Sequence, residues 1–170
     1  MLEGPAMLNE GDPAPDVTLQ TGDGGALPLS QMRGRALVLY FYPKDDTSGC
    51  TVEAKAFSDA LAAFDMEDTG VIGVSKNSAK DHDKFRAKHD LRVVLATDAD
   101  GAVCEGFGTW IEKSMYGRKY MGIDRATFLI DPDGRIARVW RKVSVPGHVD
   151  EVLAAARALK LDRQNSSFSG

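Results

Sequence analysis

Residues 36–64 read ALVLYFYPKDDTSGCTVEAKAFSDALAAF, and this stretch decides the fold. It opens with an apolar run from Ala36 to Tyr42, which predicts a central strand buried on both faces of a sheet. Pro43 ends the strand, because proline has no N–H to give to a neighbouring strand. A polar loop follows, and then apolar residues recur at the spacing of an amphipathic helix. Cys50 therefore falls at the junction between the loop and the first turn of the helix.

The start of a helix is a chemically distinctive place for a cysteine. The first N–H groups of a helix have no partner inside it, and the aligned peptide dipoles leave partial positive charge there. Both effects stabilise a thiolate, so cysteines at helix N-termini ionise more readily than free cysteine. Thr47, one turn before Cys50, can point its hydroxyl at the sulfur, and Pro43 offers a rigid wall without a competing donor. Position alone leaves a second interpretation open, in which Cys50 is a small buried apolar residue.

Several ordered motifs resemble one known family. The pattern Pro43-x-x-x-Thr47-x-x-Cys50 resembles the active-site signature of the peroxiredoxins, and YFYPKDDTSGCTVEA resembles their bacterioferritin-comigratory-protein, or Q-type, branch. Further blocks resemble that branch in the same order, and they are GVSKNS (73–78), TDADG (97–101), FGTW (107–110) and RATFLIDPDG (125–134). The resemblance covers about residues 10–160. It implies an α/β, thioredoxin-like fold, with a mixed central sheet flanked by helices and an N-terminal β-hairpin.

The order of elements is consistent with that fold class. Strands are predicted at Val17–Gln20, Leu27–Leu29, Val71–Ser75, Val93–Ala96, Ala126–Ile130 and Arg135–Arg141, and helices at Ala79–His89 and Val149–Leu161. Residues 110–122 are expected to be a hairpin or an irregular segment. Alternating strands and helices indicate an α/β sheet covered on both faces, although periodicity alone does not select the thioredoxin-like fold. We expect one domain over residues 7–161, with residues 1–6 and 162–170 as disordered ends.

Composition excludes several function classes. The 170-residue chain carries 21 basic and 25 acidic residues, a net charge of −4, and it has no basic stripe for nucleic acid. No apolar run approaches the roughly 20 residues that a membrane span needs. Two cysteines suit a reducing compartment, so the expected location is cytoplasmic. No cofactor or metal motif is visible: we expect His82 and His89 on a solvated, charged helix face, and His148 exposed or at a helix start.

The resemblance implies reduction of peroxides by a thiol. Cys50 would attack one peroxide oxygen and become a sulfenic acid, while the N–H groups of Gly49 and Cys50 bind an oxygen. Thr47 would accept from the peroxide and donate to the sulfur. Arg125 matches a second active-site arginine, which would stabilise the thiolate and the leaving oxygen.

Two further residues are assigned to the site with alternatives. Glu53, one turn beyond Cys50, is expected to hold an arginine in place, or else to be a first-turn acid that favours the helix dipole. Phe41 is expected to line the pocket entrance, or else to pack in the core.

The return of the sulfenic acid to a thiol is where the chain departs from its relatives. Many relatives carry a second, resolving cysteine five residues after the first, where this chain has Lys55, or in the segment that matches Phe85–Ala87, where it has none. Cys104 is the remaining thiol, and a buried structural role is expected for it. We therefore predict a one-cysteine mechanism with an external thiol reductant, such as thioredoxin, glutaredoxin or a small thiol, in a monomer or weak homodimer. A two-cysteine mechanism that uses Cys104 is the alternative.

Two other function classes share the same reactive cysteine. A thiol–disulfide oxidoreductase normally has Cys-x-x-Cys, whereas this chain has threonine as the first residue of Thr47-Ser-Gly-Cys50. A redox sensor would pass its oxidation to another protein instead of turning over. Catalytic consumption of peroxide distinguishes the peroxidase from the sensor.

Overall fold

The computed structural model describes residues 8–22 and 24–168, with side chains up to residue 165. Residues 1–6, expected to be a disordered end, and the predicted domain start at Met7 lie outside this part. The strands are β1 (Thr18–Thr21), β2 (Gly25–Pro28), β3 (Ala36–Phe41), β4 (Thr69–Ser75), β5 (Val94–Thr97), β6 (Trp110–Met115), β7 (Arg118–Ile123), β8 (Ala126–Ile130) and β9 (Ile136–Trp140). The helices are α1 (Ser48–Met66), α2 (Ala79–His89), α3 (Ala102–Gly106) and α4 (His148–Phe168), with a 3-10 turn at Leu29–Met32.

Seven strands form one mixed sheet in the order β2-β1-β5-β4-β3-β8-β9. All six residues of β3 are buried, which confirms the predicted central strand. β3 is parallel to β4 and antiparallel to β8, and Phe41 at the end of β3 pairs with Ala126 at the start of β8. The residue just before Ala126 is therefore delivered to the same end of the sheet as the loop that leaves β3. The predicted N-terminal hairpin, β1–β2, and the predicted antiparallel edge strand, β9, are also confirmed.

The sheet separates two apolar clusters. Side chains alternate along a strand, so Val38 and Tyr40 pack with residues of α1, α2 and α4 on one face, whereas Leu39 and Phe41 pack with α3 on the other. Cys50 belongs to the first cluster and Cys104 to the second. The two thiols therefore lie on opposite faces of the central sheet.

The segment between α3 and β8 is the hairpin β6–β7, so of the two expectations for residues 110–122 the hairpin is confirmed.

The expectation of a disordered C-terminal end is wrong for residues 162–168, because α4 continues to Phe168 instead of ending in a loose tail. Two contacts hold the last turns against the body of the protein: Lys160 Nζ donates to the Met66 carbonyl at 2.8 Å, and Arg163 pairs with Asp133 at 3.1 Å. Among the described residues, no helix has both the length and the apolar character needed to cross a bilayer.

His148 begins α4, and its predicted exposure is wrong. It is 4% exposed, and its Nε2 lies 2.7 Å from Thr127 Oγ1. Burial lowers the pKa of His148 to about 4, so the ring is neutral at pH 7. Its role is packing, with edge-on contacts to Phe57 and Trp140.

Candidate active site

The junction between the loop and α1 holds Cys50 in the second half of the first helical turn. Thr47 is the residue that caps α1, and the Thr51 N–H donates to the Thr47 carbonyl at 2.8 Å. The N–H groups of Gly49 and Cys50 come earlier in the helix, where no helical carbonyl precedes them. Cys50 is 1% exposed and faces the sheet. The sulfur is thus packed in the core while the positive end of the helix lies beside it.

Arg125 contacts Cys50 although the two residues are far apart in the sequence. Its Nη2 lies 3.3 Å from Cys50 Sγ, although 75 positions separate the two residues. The pairing of β8 with β3 explains this, because Arg125 immediately precedes Ala126, the partner of Phe41. The side chain is 17% exposed, so its charge acts on the sulfur with little solvent between them.

Glu53 holds the arginine. Its Oε1 accepts from Arg125 Nη1 at 2.7 Å, and the carboxylate is fully buried. This is the contact that the arginine-positioning interpretation requires, whereas the alternative of an acid in the first turn does not match the helix, whose first turn contains no acidic residue. Burial raises the pKa of Glu53 to about 7, and the attraction of Arg125 offsets only part of that effect. Burial lowers the pKa of Arg125, but the charges of Glu53 and Cys50 outweigh it, so the net shift is upward and the guanidinium stays charged.

Gly49 leaves the space that the guanidinium occupies. A Cβ at position 49 would lie 3.2 Å from Arg125 Nη2 and 3.9 Å from its Cζ. The contact is too close for an undisturbed side chain, so the arginine would have to move. A side chain at position 49 would therefore require the guanidinium of Arg125 to shift by a few tenths of an ångström.

Thr47 and Pro43 lie on the exposed side of the loop. The Thr47 hydroxyl donates to the Lys44 carbonyl at 2.9 Å. A hydroxyl has one proton, so the predicted donation from Thr47 to the sulfur is wrong for this arrangement. Its oxygen still has lone pairs with which to accept a hydrogen bond from a bound peroxide.

Phe41 is not at the pocket entrance. It is fully buried on the sheet face opposite Cys50, where its ring contacts Phe107 and Phe128. Its expected place in substrate binding is wrong, and the alternative of core packing holds. The aromatic ring from β3 on the side of Cys50 is instead Tyr40, stacked on Phe57 with centroids 4.4 Å apart.

One buried polar cluster was missed by the sequence interpretation. His82 is 1% exposed rather than on a solvated helix face, and its Nδ1 lies 2.7 Å from Asp45 Oδ2. Asp45 belongs to the loop before Cys50, so this contact ties the loop to α2. The spacing of His82 and Phe85 contained the signal, since residues three apart share a helix face and Phe85 is the buried apolar residue of α2.

Cys104 is fully buried, and its environment opposes ionisation. The carboxylate of Asp98 accepts from the backbone N–H groups of Val103 and Cys104 at 3.0 and 2.8 Å. Burial, followed by the hydrogen bond and negative charge of Asp98, raises the pKa of the Cys104 thiol well above its usual range. These features are those of a structural cysteine.

Comparison with known proteins agrees with this geometry. The model of the AhpC/TSA family matches residues 10–139. A putative peroxiredoxin Bcp of Coxiella burnetii is 47% identical over 146 residues, which are 86% of this chain and 97% of the relative. Peroxiredoxin Bcp of Bacillus subtilis is 46% identical over 143 residues, which are 84% and 91% of the two chains.

Solved structures of similar proteins have the same fold. Peroxiredoxin Q of Xanthomonas campestris is 42% identical with a TM-score of 0.82, over 91% of this chain and 98% of that one. A mutant of PrxQ from Xylella fastidiosa is 39% identical with a TM-score of 0.84, over 90% and 98%. The thioredoxin-like fold expected from the motifs is therefore confirmed. The chain belongs to the AhpC/TSA family, within its Bcp, or peroxiredoxin Q, branch.

Proposed function

We propose that this thiol-dependent peroxidase reduces hydrogen peroxide and organic hydroperoxides at Cys50 by a one-cysteine mechanism. The observation that carries the proposal is the contact of Arg125 Nη2 with Cys50 Sγ at 3.3 Å, with the arginine held by buried Glu53. A fixed guanidinium stabilises both the thiolate and negative charge that develops on a peroxide oxygen beside it. A structure of Xanthomonas campestris bacterioferritin comigratory protein concerns alkyl peroxide reduction, which supports the inclusion of organic hydroperoxides.

The first half-reaction would use Cys50, Thr47, Arg125 and the first N–H groups of α1. The Cys50 thiolate attacks the terminal oxygen of ROOH, an S–O bond forms, and the O–O bond breaks. The electron pair of that bond leaves on RO⁻, which takes a proton from water to give ROH, while Cys50 becomes a sulfenic acid. Thr47 accepts from the peroxide, and the N–H groups of Gly49 and Cys50 together with Arg125 stabilise the oxygens during bond exchange.

An external thiol completes the cycle. A thiol attacks the Cys50 sulfur, which gives a mixed disulfide and releases water, and a second thiol then frees Cys50. Cys104 is unsuited to this step, because it lies across the sheet and its thiol is held protonated. Thioredoxin, glutaredoxin or a small thiol would serve as the reductant. We also propose a cytoplasmic location and a monomer or weak homodimer, which the two free cysteines and the similarity to peroxiredoxin Q support.

Steady-state turnover of two cysteine variants tests the proposal. Cys50→Ser should abolish peroxide consumption with each reductant, because serine cannot form the sulfenic acid. Cys104→Ser should keep most of the activity. Comparable losses in the two variants would contradict the one-cysteine mechanism. Wild-type protein that consumes only one equivalent of peroxide, even with excess thiol of every kind, would favour a sensor over a peroxidase.

A further inference from the structure

The loop between β3 and α1 is held on its buried side by Asp45. This residue is 8% exposed, and both of its carboxylate oxygens have protein partners. Tyr42 donates its hydroxyl proton to Oδ1 at 2.6 Å, and His82 Nδ1 lies 2.7 Å from Oδ2. The Asp45 N–H donates to Asn77 Oδ1 at 2.9 Å. The loop is therefore fixed at Asp45 by its side chain and by its backbone.

The two ring nitrogens of His82 contact two different segments of the chain. Its Nε2 lies 3.1 Å from the Ala96 carbonyl, which can only accept, so Nε2 carries a proton. Nδ1 lies within hydrogen-bond distance of Asp45 Oδ2 and is also 3.4 Å from the Tyr42 hydroxyl. His82 thus joins the loop on one side to β5 on the other, and it is the buried polar side chain of α2.

The outer side of the same loop is also held by α2. Asp46, next to Asp45, adopts a left-handed backbone conformation with φ 61°. Its carboxylate lies 2.7 Å from Lys88 Nζ and 2.7 Å from His89 Nε2, both near the end of α2. Two consecutive loop residues therefore contact one helix, Asp45 inside the protein and Asp46 at its surface.

We propose that His82 is a positioning residue of the peroxidase, which acts through Asp45 to fix the loop that places Thr47 and the first N–H groups of α1 around Cys50. The inference rests on the proposed function, since it assigns α2 a part in that same site. Asp45 is two residues before Thr47 and five before Cys50, too short a span to absorb a shift without moving both. A displacement of about 1 Å at reacting groups can lower a rate by about 100-fold.

A comparison of two reactions of Cys50 separates positioning from general stability. Reaction with peroxide requires that Thr47 and the helix N–H groups be correctly placed relative to the Cys50 sulfur. Alkylation by iodoacetamide requires that the reagent reach Cys50, which is 1% exposed, and that the thiolate be held beside Arg125, but it does not use Thr47 as an acceptor. Loss of positioning therefore lowers the peroxide rate constant while the alkylation rate constant is retained, whereas partial unfolding alters both.

Two substitutions at position 82 preserve one contact each. In His82→Asn the amide nitrogen takes the place of Nδ1 and can still donate to Asp45. In His82→Gln the amide nitrogen takes the place of Nε2 and can still donate to Ala96, but Asp45 Oδ2 loses its partner. We expect His82→Gln to lower the rate constant for reaction with peroxide by about 10- to 100-fold. The same rate constant in His82→Asn should stay within about threefold of wild type. The alkylation rate constant should stay within about twofold of wild type in both variants. Asp83→Asn, at an exposed site of the same helix, serves as the control.

The opposite order, with His82→Asn slower than His82→Gln, would overturn the proposal and assign His82 to the packing of α2 against β5. Equal losses of peroxide and alkylation rates would overturn it as well. If His82→Gln fails to fold, Tyr42→Phe removes the other contact of Asp45 with almost no change in shape. It should lower the peroxide rate severalfold and leave alkylation unchanged. A wild-type protein without peroxide turnover would defeat the proposed function instead, and that outcome is visible before any variant is made.

Discussion

At the scale of single residues, the site depends on an arginine whose position the sequence alone does not reveal. Arg125 is one of many arginines, and its role follows from the pairing of Ala126 with Phe41 rather than from any local pattern. The motif resemblance indicated Arg125 and Cys50, and the structure brings them to 3.3 Å. The close approach of Arg125 to Gly49 is visible only in the folded structure, because it is a contact between segments distant in the chain.

Substitution of Gly49 should separate activity from stability. Gly49→Ala introduces a Cβ that would lie 3.2 Å from Arg125 Nη2 and would require the guanidinium beside the sulfur to shift by a few tenths of an ångström. We expect the peroxide rate constant to fall about 10-fold, while the free energy of unfolding is unchanged or rises by up to about 1 kcal/mol, because alanine favours a helix more than glycine does. Stopped-flow kinetics and urea unfolding measure the two quantities. Ser48→Ala, at the exposed preceding position, is the control, and an unaffected rate in Gly49→Ala would show that the arginine does not need this space.

Substitution of Glu53 should change how stability depends on pH. The pKa of Glu53 is raised from 4.5 to about 7 by burial, so between these values the folded state binds more protons than the unfolded state. The contribution of Glu53 to the free energy of unfolding therefore decreases as pH rises through this window, at 1.36 kcal/mol per pKa unit and about 3 kcal/mol in total. In Glu53→Gln this pH dependence is absent, because the glutamine side chain does not ionise. Urea unfolding at pH 5 and pH 7.5 should show wild type losing stability relative to Glu53→Gln, and parallel changes in the two proteins would contradict the raised pKa.

At the scale of elements, apolar periodicity predicted most strands and helices but not the contacts between them. The sequence indicates β3 by a continuous apolar run and α1 by apolar residues that recur at helical spacing. It does not indicate the attachment of the Cys50 loop to α2, because α2 is rich in charged residues and its pattern suggests a solvated face around His82. The end of α4 was missed for a related reason, since contacts of Lys160 and Arg163 with distant segments hold a polar sequence in helical form.

The start of α2 offers a direct test of this element. Ser78 precedes the helix, and its hydroxyl accepts from the Asp81 N–H at 3.1 Å. Ser78→Ala leaves that N–H without its cap and should lower the free energy of unfolding by about 1 kcal/mol. Ser78→Asp restores an acceptor and should recover most of the loss, as measured by urea unfolding. Equal stability of the alanine and aspartate variants would show that the cap contributes nothing.

At the scale of the whole molecule, the central sheet separates the two cysteines on which the choice of mechanism depends. The sequence contained two cysteines and could not show their separation, so a two-cysteine mechanism remained open. The alternation of side chains along β3 places Cys50 with Val38 and Tyr40, whereas Cys104 lies with Leu39 on the other face. A disulfide requires Cα atoms within about 7 Å of each other. Two residues packed on opposite faces of an intact sheet are farther apart than that.

The most direct test of the one-cysteine mechanism is intact and peptide mass spectrometry of the protein after one equivalent of hydrogen peroxide. We expect one added oxygen at Cys50, trapped as a sulfenic acid adduct or as a mixed disulfide with an added thiol, with Cys104 still reduced. A loss of two hydrogens, mapped to a disulfide between Cys50 and Cys104, would contradict it.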